Sequence, residues 1–246
     1  MRQFVMAVTL GTVPWLTTTG QSPRLANPER PTYATHAYAV APGYIELEQG
    51  VSASGVSSLS QGTVWSMALK LGIAPPLQAE FFGPVYSRTP SGGGVGDLGL
   101  ALKFRTDLSE KSAVALIPAV TAPTGNSAKG LGAGRALGAL TAVYSVDLPA
   151  SVHFDLNAGP TGVGAGATQW FFSVSGSWGG PTVGVTGECF DFTPGAAGPR
   201  LAGLLGAVTI RVAPWAVVDA GGQWGSTKNS PNAVFLGLTT NLGRLF

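Results

Sequence analysis

The sequence is poor in charge and cysteine, and each scarcity excludes a class of protein. Charged residues make up only 11% of the 246 positions, whereas soluble domains carry about 25%. With 14 Lys+Arg against 12 Asp+Glu the formal net charge is +2. Because basic residues form no cluster, we expect no nucleic-acid partner. The single Cys189 allows neither an internal disulfide nor a thiolate zinc site. We interpret it as a small buried apolar side chain, and we expect no metal and no cofactor.

Long apolar runs are also scarce, and the one near the N-terminus has the form of a secretory signal. Arg2 precedes an apolar stretch over residues 4–16, and small polar residues follow. We predict a signal peptide over residues 1–20; the alternative is that residues 4–16 form a first strand or a buried helix. No later segment reaches the roughly 18 apolar residues of a membrane-spanning helix. A lead segment (21–42) and a domain (43–246) follow.

Glycine is abundant, with 36 Gly and 18 Pro in a chain that is 45% hydrophobic. This chain is too apolar to be disordered. From Gly43 onward, Gly, Pro, Asn and Asp end short segments of alternating polar and apolar residues, which is typical of an all-β chain. We predict twelve strands, which are Tyr44–Val51, Thr63–Ile73, Leu77–Gly83, Gly96–Thr106, Ser112–Val120, Leu137–Val146, Ala150–Ala158, Thr168–Trp178, Thr182–Phe190, Leu201–Val212, Trp215–Trp224 and Asn232–Phe246.

The connections between these strands alternate in length. Short ones, such as APP at Ala74 and DLP at Asp147, interleave with long ones, such as GPTGVGAG after Ala158. A Greek-key sandwich has no reason to sort its loops in this way. The alternation predicts an antiparallel, transmembrane up-and-down β-barrel of about 12 strands, with long loops at one end and short turns at the other. The lead segment either plugs this barrel or hangs free in the periplasm.

Each predicted strand has one strongly apolar face and one small, polar face. From Asp97 to Arg105, for example, every second residue is Leu or Phe, and Gly, Ala and single charges lie between them. A soluble sandwich would present a solvated face rich in Lys and Glu. We therefore predict a polar lumen and an apolar belt facing lipid, with a soluble secreted β-sandwich as the weaker alternative. Aromatic residues near strand ends are either interfacial girdles or core residues; they are Tyr44, Tyr86, Trp170, Trp178, Trp215, Trp224 and Phe246.

The charged and titratable residues on the polar face are the candidate lumen-lining residues. Opposite charges on neighbouring strands can pair there, so these side chains form either a structural ladder or a selectivity filter. They are Glu46, Glu48, Lys70, Glu80, Asp97, Lys103, Arg105, His153, Asp155, Glu188, Arg211 and Asp219.

The last strand ends on an aromatic residue, Phe246. A chain that ends in this way resembles the assembly signal of bacterial outer-membrane barrels. This resemblance implies the barrel assembly machinery and outer-membrane lipid as partners, and the bacterial outer membrane as the location.

A wider resemblance covers residues 40 to 246. It is carried by Pro42-Gly43 before Glu46 and Glu48, by Gly96-Asp97-Leu98 opening a strand with Lys103, and by Pro123-Thr124-Gly125 opening a long loop. In this order of elements the chain resembles the family of outer-membrane transporters associated with the meta-cleavage pathway of phenol degradation. The resemblance implies a barrel linked to the uptake of aromatic compounds. The chain departs from the family at Pro118, which removes a ladder hydrogen bond within a strand and predicts a bulge there.

Catalytic motifs are weak in this chain, and we expect no catalytic residue. The string from Gly94 to Gly99 matches G-x-G-x-x-G, but it opens a strand, whereas a dinucleotide site needs a helix there. The chain has only two histidines, and a nucleophile needs a neighbouring base. An outer-membrane phospholipase would carry its His on the lipid-facing surface, whereas His153 falls on the polar face. His36 lies in the lead segment and receives no role.

Two classes of function remain open. The first is a passive, porin-like outer-membrane channel for small solutes, aromatic or hydrophobic ones among them. The alternative is a non-conducting structural or surface-binding barrel that acts through its glycine-rich loops. Neither is an enzyme.

Overall fold

The computed structural model describes residues 24–55 and 62–246. The predicted signal peptide, residues 1–20, lies outside the described residues. No helix in the described part of the chain is long and apolar enough to cross a membrane.

The chain forms a closed antiparallel barrel of twelve strands with one extra short strand. Each strand pairs with the next, and the first pairs with the last, which closes the sheet. The strands are β1 (Tyr44–Ser54), β2 (Gly62–Ala74), β3 (Leu77–Thr89), β4 (Gly92–Gly94), β5 (Leu98–Ser109), β6 (Ser112–Ala122), β7 (Leu137–Leu148), β8 (Val152–Thr161), β9 (Gln169–Gly179), β10 (Val183–Phe192), β11 (Leu201–Ala213), β12 (Ala216–Gly225) and β13 (Ala233–Arg244).

The sorting of long loops and short turns to opposite ends is confirmed. Connections at one end, the turn end, span two or three residues, as at Pro75–Pro76 and 180–182, while the other end, the loop end, carries segments such as 123–136 and 193–200. The twelve predicted strands are present, with boundaries that move by a few residues. The extra strand β4 pairs with the end of β3 and extends that hairpin beyond the barrel wall.

Alternation places apolar side chains outside and polar ones inside. Along β5, Leu100 and Phe104 on the outer face are 60% and 48% exposed, whereas Ala101 and Lys103 between them are 8% and 2% exposed. Water cannot be the natural solvent of a surface covered by Leu, Val and Phe in this way, so the belt is suited to lipid. The interpretation of Cys189 as buried is wrong, because its position on β10 turns it outward, where it is exposed.

Aromatic side chains mark both rims of the belt. Trp178 and Trp215 lie at the turn end, and Trp170 and Trp224 lie at the loop end, each between 42% and 58% exposed. These residues are therefore not core aromatics; they occupy the positions of interfacial girdles.

The bulge predicted at Pro118 is wrong. The register of β6 with β5 and with β7 continues unchanged on both sides of Pro118, and the shift in the β5–β6 ladder falls between Asp107 and Ser109 instead. Beside Pro118, pairing between β5 and β6 is interrupted from Ala101 opposite Ala119 to Phe104 opposite Leu116. The missing N–H of proline thus opens a local gap in the ladder without inserting a residue.

Candidate functional site: the occupied lumen

Residues 24–43, called the plug below, lie inside the barrel. The plug starts at the turn end, where the Ala26 N–H donates to the Pro214 carbonyl, and it ends there, where the Gly43 N–H donates to the Gly72 carbonyl. Between these points it extends towards the loop end of the lumen, where Tyr33 packs against Phe190 and Phe192, among the last residues of β10 before the loop 193–200. Gly43 has a positive φ of 79°, a conformation that glycine adopts at little cost, and it turns the chain into β1.

The wall holds the plug mainly by its backbone. Side-chain oxygens on six wall residues accept hydrogen bonds from plug N–H groups, at distances of 2.6–3.3 Å. The contacts run all round the barrel, so no single strand holds the plug. The pairs are Asn27 with Glu46, Glu29 and Arg30 with Glu48, Tyr33 and Ala34 with Glu188, Thr35 with Asn157, Ala37 with Ser145, and Val40 with Gln78.

Beside the plug, β1, β2, β3 and β5 form a buried charge cluster around Lys70. Lys70 Nζ lies 2.6 Å from Glu48 and 3.6 Å from Glu46 of the neighbouring strand, and Glu80 lies opposite Lys70 in the β2–β3 ladder. The cross-strand pairing of opposite charges is thus present on this side of the lumen.

The plug contributes Glu29 to this cluster. Its carboxylate lies 3.3 Å from Lys70 Nζ and also contacts Lys103 Nζ. Burial by itself raises the pKa of Glu29, but Lys103 and Lys70 outweigh burial and hold that pKa well below its usual range. Glu29 therefore remains ionised and ties the plug to two strands.

His36 lies in the plug, and among the described residues no carboxylate is within hydrogen-bond distance of its ring. Its ring nitrogens lie 3.1 Å from the Tyr38 carbonyl and 3.4 Å from the Asn27 carbonyl. Burial lowers its pKa to about 4, since the nearby Lys103 opposes the charged form and Glu29 favours it only in part. The sequence offered no role for His36; the structure buries it in the plug, where desolvation disfavours its charged form.

The far side of the lumen carries carboxylates that receive hydrogen bonds from neutral donors. Glu188 accepts from the Tyr33 and Ala34 N–H groups at 2.8 and 2.6 Å and from the Ser173 hydroxyl at 2.5 Å. Asp155 accepts from the Ser145 and Ser175 hydroxyls. On this side the wall therefore binds the plug with hydrogen bonds rather than with a matching array of cations.

Towards the turn end, His153 joins a polar network. Its Nδ1 lies 2.7 Å from Asp147 and its Nε2 lies 2.9 Å from Asp155. Tyr38 of the plug donates to Asp147 at 2.6 Å and stacks under the Arg105 guanidinium at 5.0 Å. With both ring nitrogens against carboxylates, His153 fits a lumen hydrogen-bonding role better than that of a base for a nucleophile.

Two predicted lumen residues lie away from the centre of the barrel. Asp97 precedes β5 at the loop end, where it accepts from the Gly125 and Ala133 N–H groups and fixes the loop 123–136. Arg211 lies at the turn end and donates to the Ala26 and Pro214 carbonyls. The remaining ten residues lie on the inner face of the wall.

Two hollows border the barrel wall. One, of about 260 Å³, lies above the plug at the loop end and is lined by Phe82, Ala119, Thr121, Leu137 and Gln169 among others. The other, of about 870 Å³, is an outer-surface depression over the paired Ala142 and Ala158. Outward side chains such as Leu116, Leu156 and Phe172 line the second hollow, so it lies on the outer face of the barrel and not in the lumen.

Residues 29–242 match the protein family described as "Putative MetA-pathway of phenol degradation". The chain belongs to this family. The resemblance found in the sequence is thereby confirmed.

Several solved structures with a similar architecture are channels or porins. The COG4313 outer membrane channel from Pseudomonas putida F1 is 17% identical, covers 84% of this chain and 98% of its own, and superposes with a TM-score of 0.65. A KdgM porin (5% identical, 79% and 98% covered, TM-score 0.57) and the NanC porin (8%, 80% and 100%, 0.58) are also similar. At these identities the likeness shows a shared fold. A comparison with curated proteins finds no match.

Proposed function

We propose that this chain is a passive outer-membrane channel for small solutes, aromatic or hydrophobic ones among them, and that the plug closes it. One observation carries the proposal: the lumen is occupied by a chain segment bound through polar contacts, not by side chains of the wall alone. An eight-stranded barrel has room only for its own side chains. Twelve strands enclose a space that can conduct once the segment moves.

The plug is suited to reversible displacement. Its hydrogen bonds can each be replaced by hydrogen bonds to water, so the net free energy of each is about 0.5–1.5 kcal/mol for neutral pairs and about 1.5–3 kcal/mol for those to carboxylates. The apolar contacts of the plug fall in two small groups, one around Ala37 with Ala113, Ala115 and Val143 and one where Tyr33 packs against Phe190 and Phe192. Outside these two groups, the plug is bound by polar contacts that water can replace.

The aromatic preference rests on the family description and on the hollow above the plug. A cavity of roughly 150 Å³ can hold benzene, so about 260 Å³ accommodates one ring with substituents. Phe82 and Leu137 supply apolar contacts, and Thr121 and Gln169 supply polar ones. In this proposal the chain has no enzymatic activity. It assembles into the outer membrane through the C-terminal Phe246, which is 62% exposed.

The alternative is a non-conducting barrel that acts through its loops. It is favoured by the many contacts that seal the lumen and by the order that Asp97 gives to the loop 123–136. The two functions differ in one measurable property, which is whether solutes cross when the plug is free to move.

Solute flux through a barrel with a lockable plug tests the proposal. Ala37→Cys and Ser145→Cys place thiols where the Ala37 N–H now donates to Ser145 Oγ at 2.7 Å, and Cys189→Ser removes the native thiol. The full chain is reconstituted in liposomes, and swelling is followed with phenol, catechol and sugars, with the plug either joined by a short thiol crosslinker or left free. Ala37→Cys alone is the matched control.

We expect free plugs to permit swelling with the phenols, and joined plugs to abolish it. The control should swell equally with and without the crosslinker. If the free, correctly folded barrel admits no solute, the channel proposal is overturned and the loop-binding alternative takes its place.

A further inference from the structure

The wall contains a narrow slot that holds the side chain of Arg30. Gly50 of β1, Gly237 of β13 and Asp219 of β12 are direct neighbours across three strands. A Cβ at Gly50 would meet the Arg30 guanidinium, and one at Gly237 would lie 2.5 Å from Arg30 Nε. The slot therefore exists because both positions are glycine, and its floor carries the buried carboxylate of Asp219, which is 1% exposed.

Arg30 contacts only one of the two oxygens of the Asp219 carboxylate. Arg30 Nε lies 3.4 Å from Asp219 Oδ2, and Asp219 Oδ1 is buried with no hydrogen-bond partner among the described residues. A guanidinium that is free to orient itself can bind both carboxylate oxygens through two parallel N–H bonds. An incoming guanidinium can thus bind this slot better than the tethered Arg30 does.

Two wall carboxylates near the slot accept hydrogen bonds from the backbone of the plug. Glu48 accepts from the N–H groups of Glu29 and Arg30, and Glu188 accepts from those of Tyr33 and Ala34. These contacts recognise an extended main chain whatever its side chains, while the slot recognises the guanidinium. The combination fits a polypeptide segment better than a small free cation.

We propose that the slot formed by Gly50, Gly237 and Asp219, together with Glu48 and Glu188, is a binding site for an extended peptide segment that carries an arginine. The plug is its resident occupant, and a segment of another chain entering the open lumen replaces it. This assignment goes beyond the channel proposal, because it concerns recognition in the lumen and not the passage of small solutes.

The test uses the full chain with a weakened occupant. Arg30→Ser and Tyr33→Ser change the plug and leave the wall intact, and a fluorescein-labelled peptide with the sequence of residues 24–40 is added to the detergent-solubilised barrel. A second peptide carries citrulline, the neutral isostere of arginine, at the position of Arg30. Binding is measured by fluorescence anisotropy.

The arginine peptide should bind the weakened chain at least about tenfold more tightly than the citrulline peptide, as expected for hydrogen bonds to a charged group. The wild-type chain should bind both peptides far less, since its tethered plug has an effective concentration near the millimolar range. N-acetylarginine amide should compete poorly, because it lacks the extended backbone.

Gly237→Ala in the weakened chain is the decisive variant. The atoms nearest to its Cβ in the wild-type chain belong to the side chains of Asp219 and Arg30 and not to the backbone. In the weakened chain Arg30 is absent, so only the Asp219 carboxylate has to move; the barrel should fold normally and the preference for arginine should disappear. Gly187→Ala, where the added Cβ has a nearest neighbour 3.9 Å away, is the control and should keep the preference.

Equal binding of the arginine and citrulline peptides to the weakened chain would overturn the guanidinium slot, and so would a preference that survives Gly237→Ala. If N-acetylarginine amide displaces the labelled peptide at the same concentration as the unlabelled peptide does, the Glu48 and Glu188 contacts to the peptide backbone do not contribute to binding. Swelling measured on the same preparations reports the channel proposal separately, so failure of one does not imply failure of the other.

Discussion

At the scale of single residues, Glu188 is the wall residue whose loss should free the plug most directly. It accepts two plug N–H groups and one hydroxyl. Glu188→Gln keeps the size of the side chain, but it weakens these bonds and turns an NH2 group towards donors. We expect the rate of phenol-driven liposome swelling to rise about tenfold, which corresponds to the loss of about 1.4 kcal/mol of plug binding.

Glu110→Gln is the matched control for this change. Glu110 is exposed in the turn between β5 and β6, so its substitution removes the same charge without touching the lumen. Unchanged swelling in Glu188→Gln, or an equal rise in both variants, would show that the Glu188 contacts do not hold the plug.

His36 should make plug release depend on pH. Its pKa is about 4 in the bound plug, against an ordinary value of 6.5, so release takes up a proton between these values. The contribution of neutral His36 to plug binding is therefore complete above pH 6.5, declines as the pH falls, and is lost progressively towards pH 4. We expect swelling to be faster at pH 5 than at pH 7.5, and His36→Gln should reduce that difference. A pH response that is identical in His36→Gln would assign it to other groups.

At the scale of elements, the strands were predictable and the plug was not. Polar and apolar residues alternate along each strand, which is a local pattern in the sequence, and Gly and Pro mark the strand ends. The place of the plug depends on contacts between residues far apart in the chain, such as Ala34 with Glu188 and Ala37 with Ser145. No local period encodes such contacts, so the sequence left open whether the segment enters the barrel.

The same reasoning explains which lumen residues were missed. Gln78, Ser145 and Asn157 hold the plug as directly as the glutamates do, but they are uncharged, and a search for charge on the polar face passes over them. Their positions, on the same face as Glu80 and Asp155, were the available signal.

Pro118 offers a test of how one ladder gap affects the wall. Pairing between β5 and β6 is interrupted beside it, although the register continues. Pro118→Val supplies an N–H and a β-branched side chain on the outer face, so we expect the barrel to gain about 1 kcal/mol in free energy of unfolding. The measurement is the urea midpoint in lipid bilayers, checked against the temperature at which the folded band is lost in detergent gels.

Pro149→Val is the control for this gain. Pro149 lies in the turn between β7 and β8, where no ladder bond can be restored, so no gain is expected. A decrease in stability with Pro118→Val would indicate that the gap is stabilised by the packing of the proline ring.

At the scale of the whole molecule, charge and shape divide the barrel into two environments. The inner face concentrates carboxylates, lysines and amides around the plug, and the outer face of the barrel wall presents Leu, Val and aromatic side chains. The scarcity of charge in the sequence follows from this division, because only the inner face and the loops can bear it. Whether lipid covers the outer face can therefore be tested by placing one charged side chain on that face.

Leu236→Arg places that charge near the middle of β13. Leu236 is 59% exposed on the outer face and pairs with Val51 of β1 and Ala220 of β12. If lipid covers this surface, the substitution should cost roughly 2–4 kcal/mol of unfolding free energy in bilayers. Val163→Arg, at a loop position that is 44% exposed, should cost less than about 1 kcal/mol, because it lies outside the apolar belt. Equal and small costs at both positions would contradict membrane insertion and return the soluble sandwich to consideration, whereas a cost confined to Leu236 would place the belt in the hydrocarbon layer.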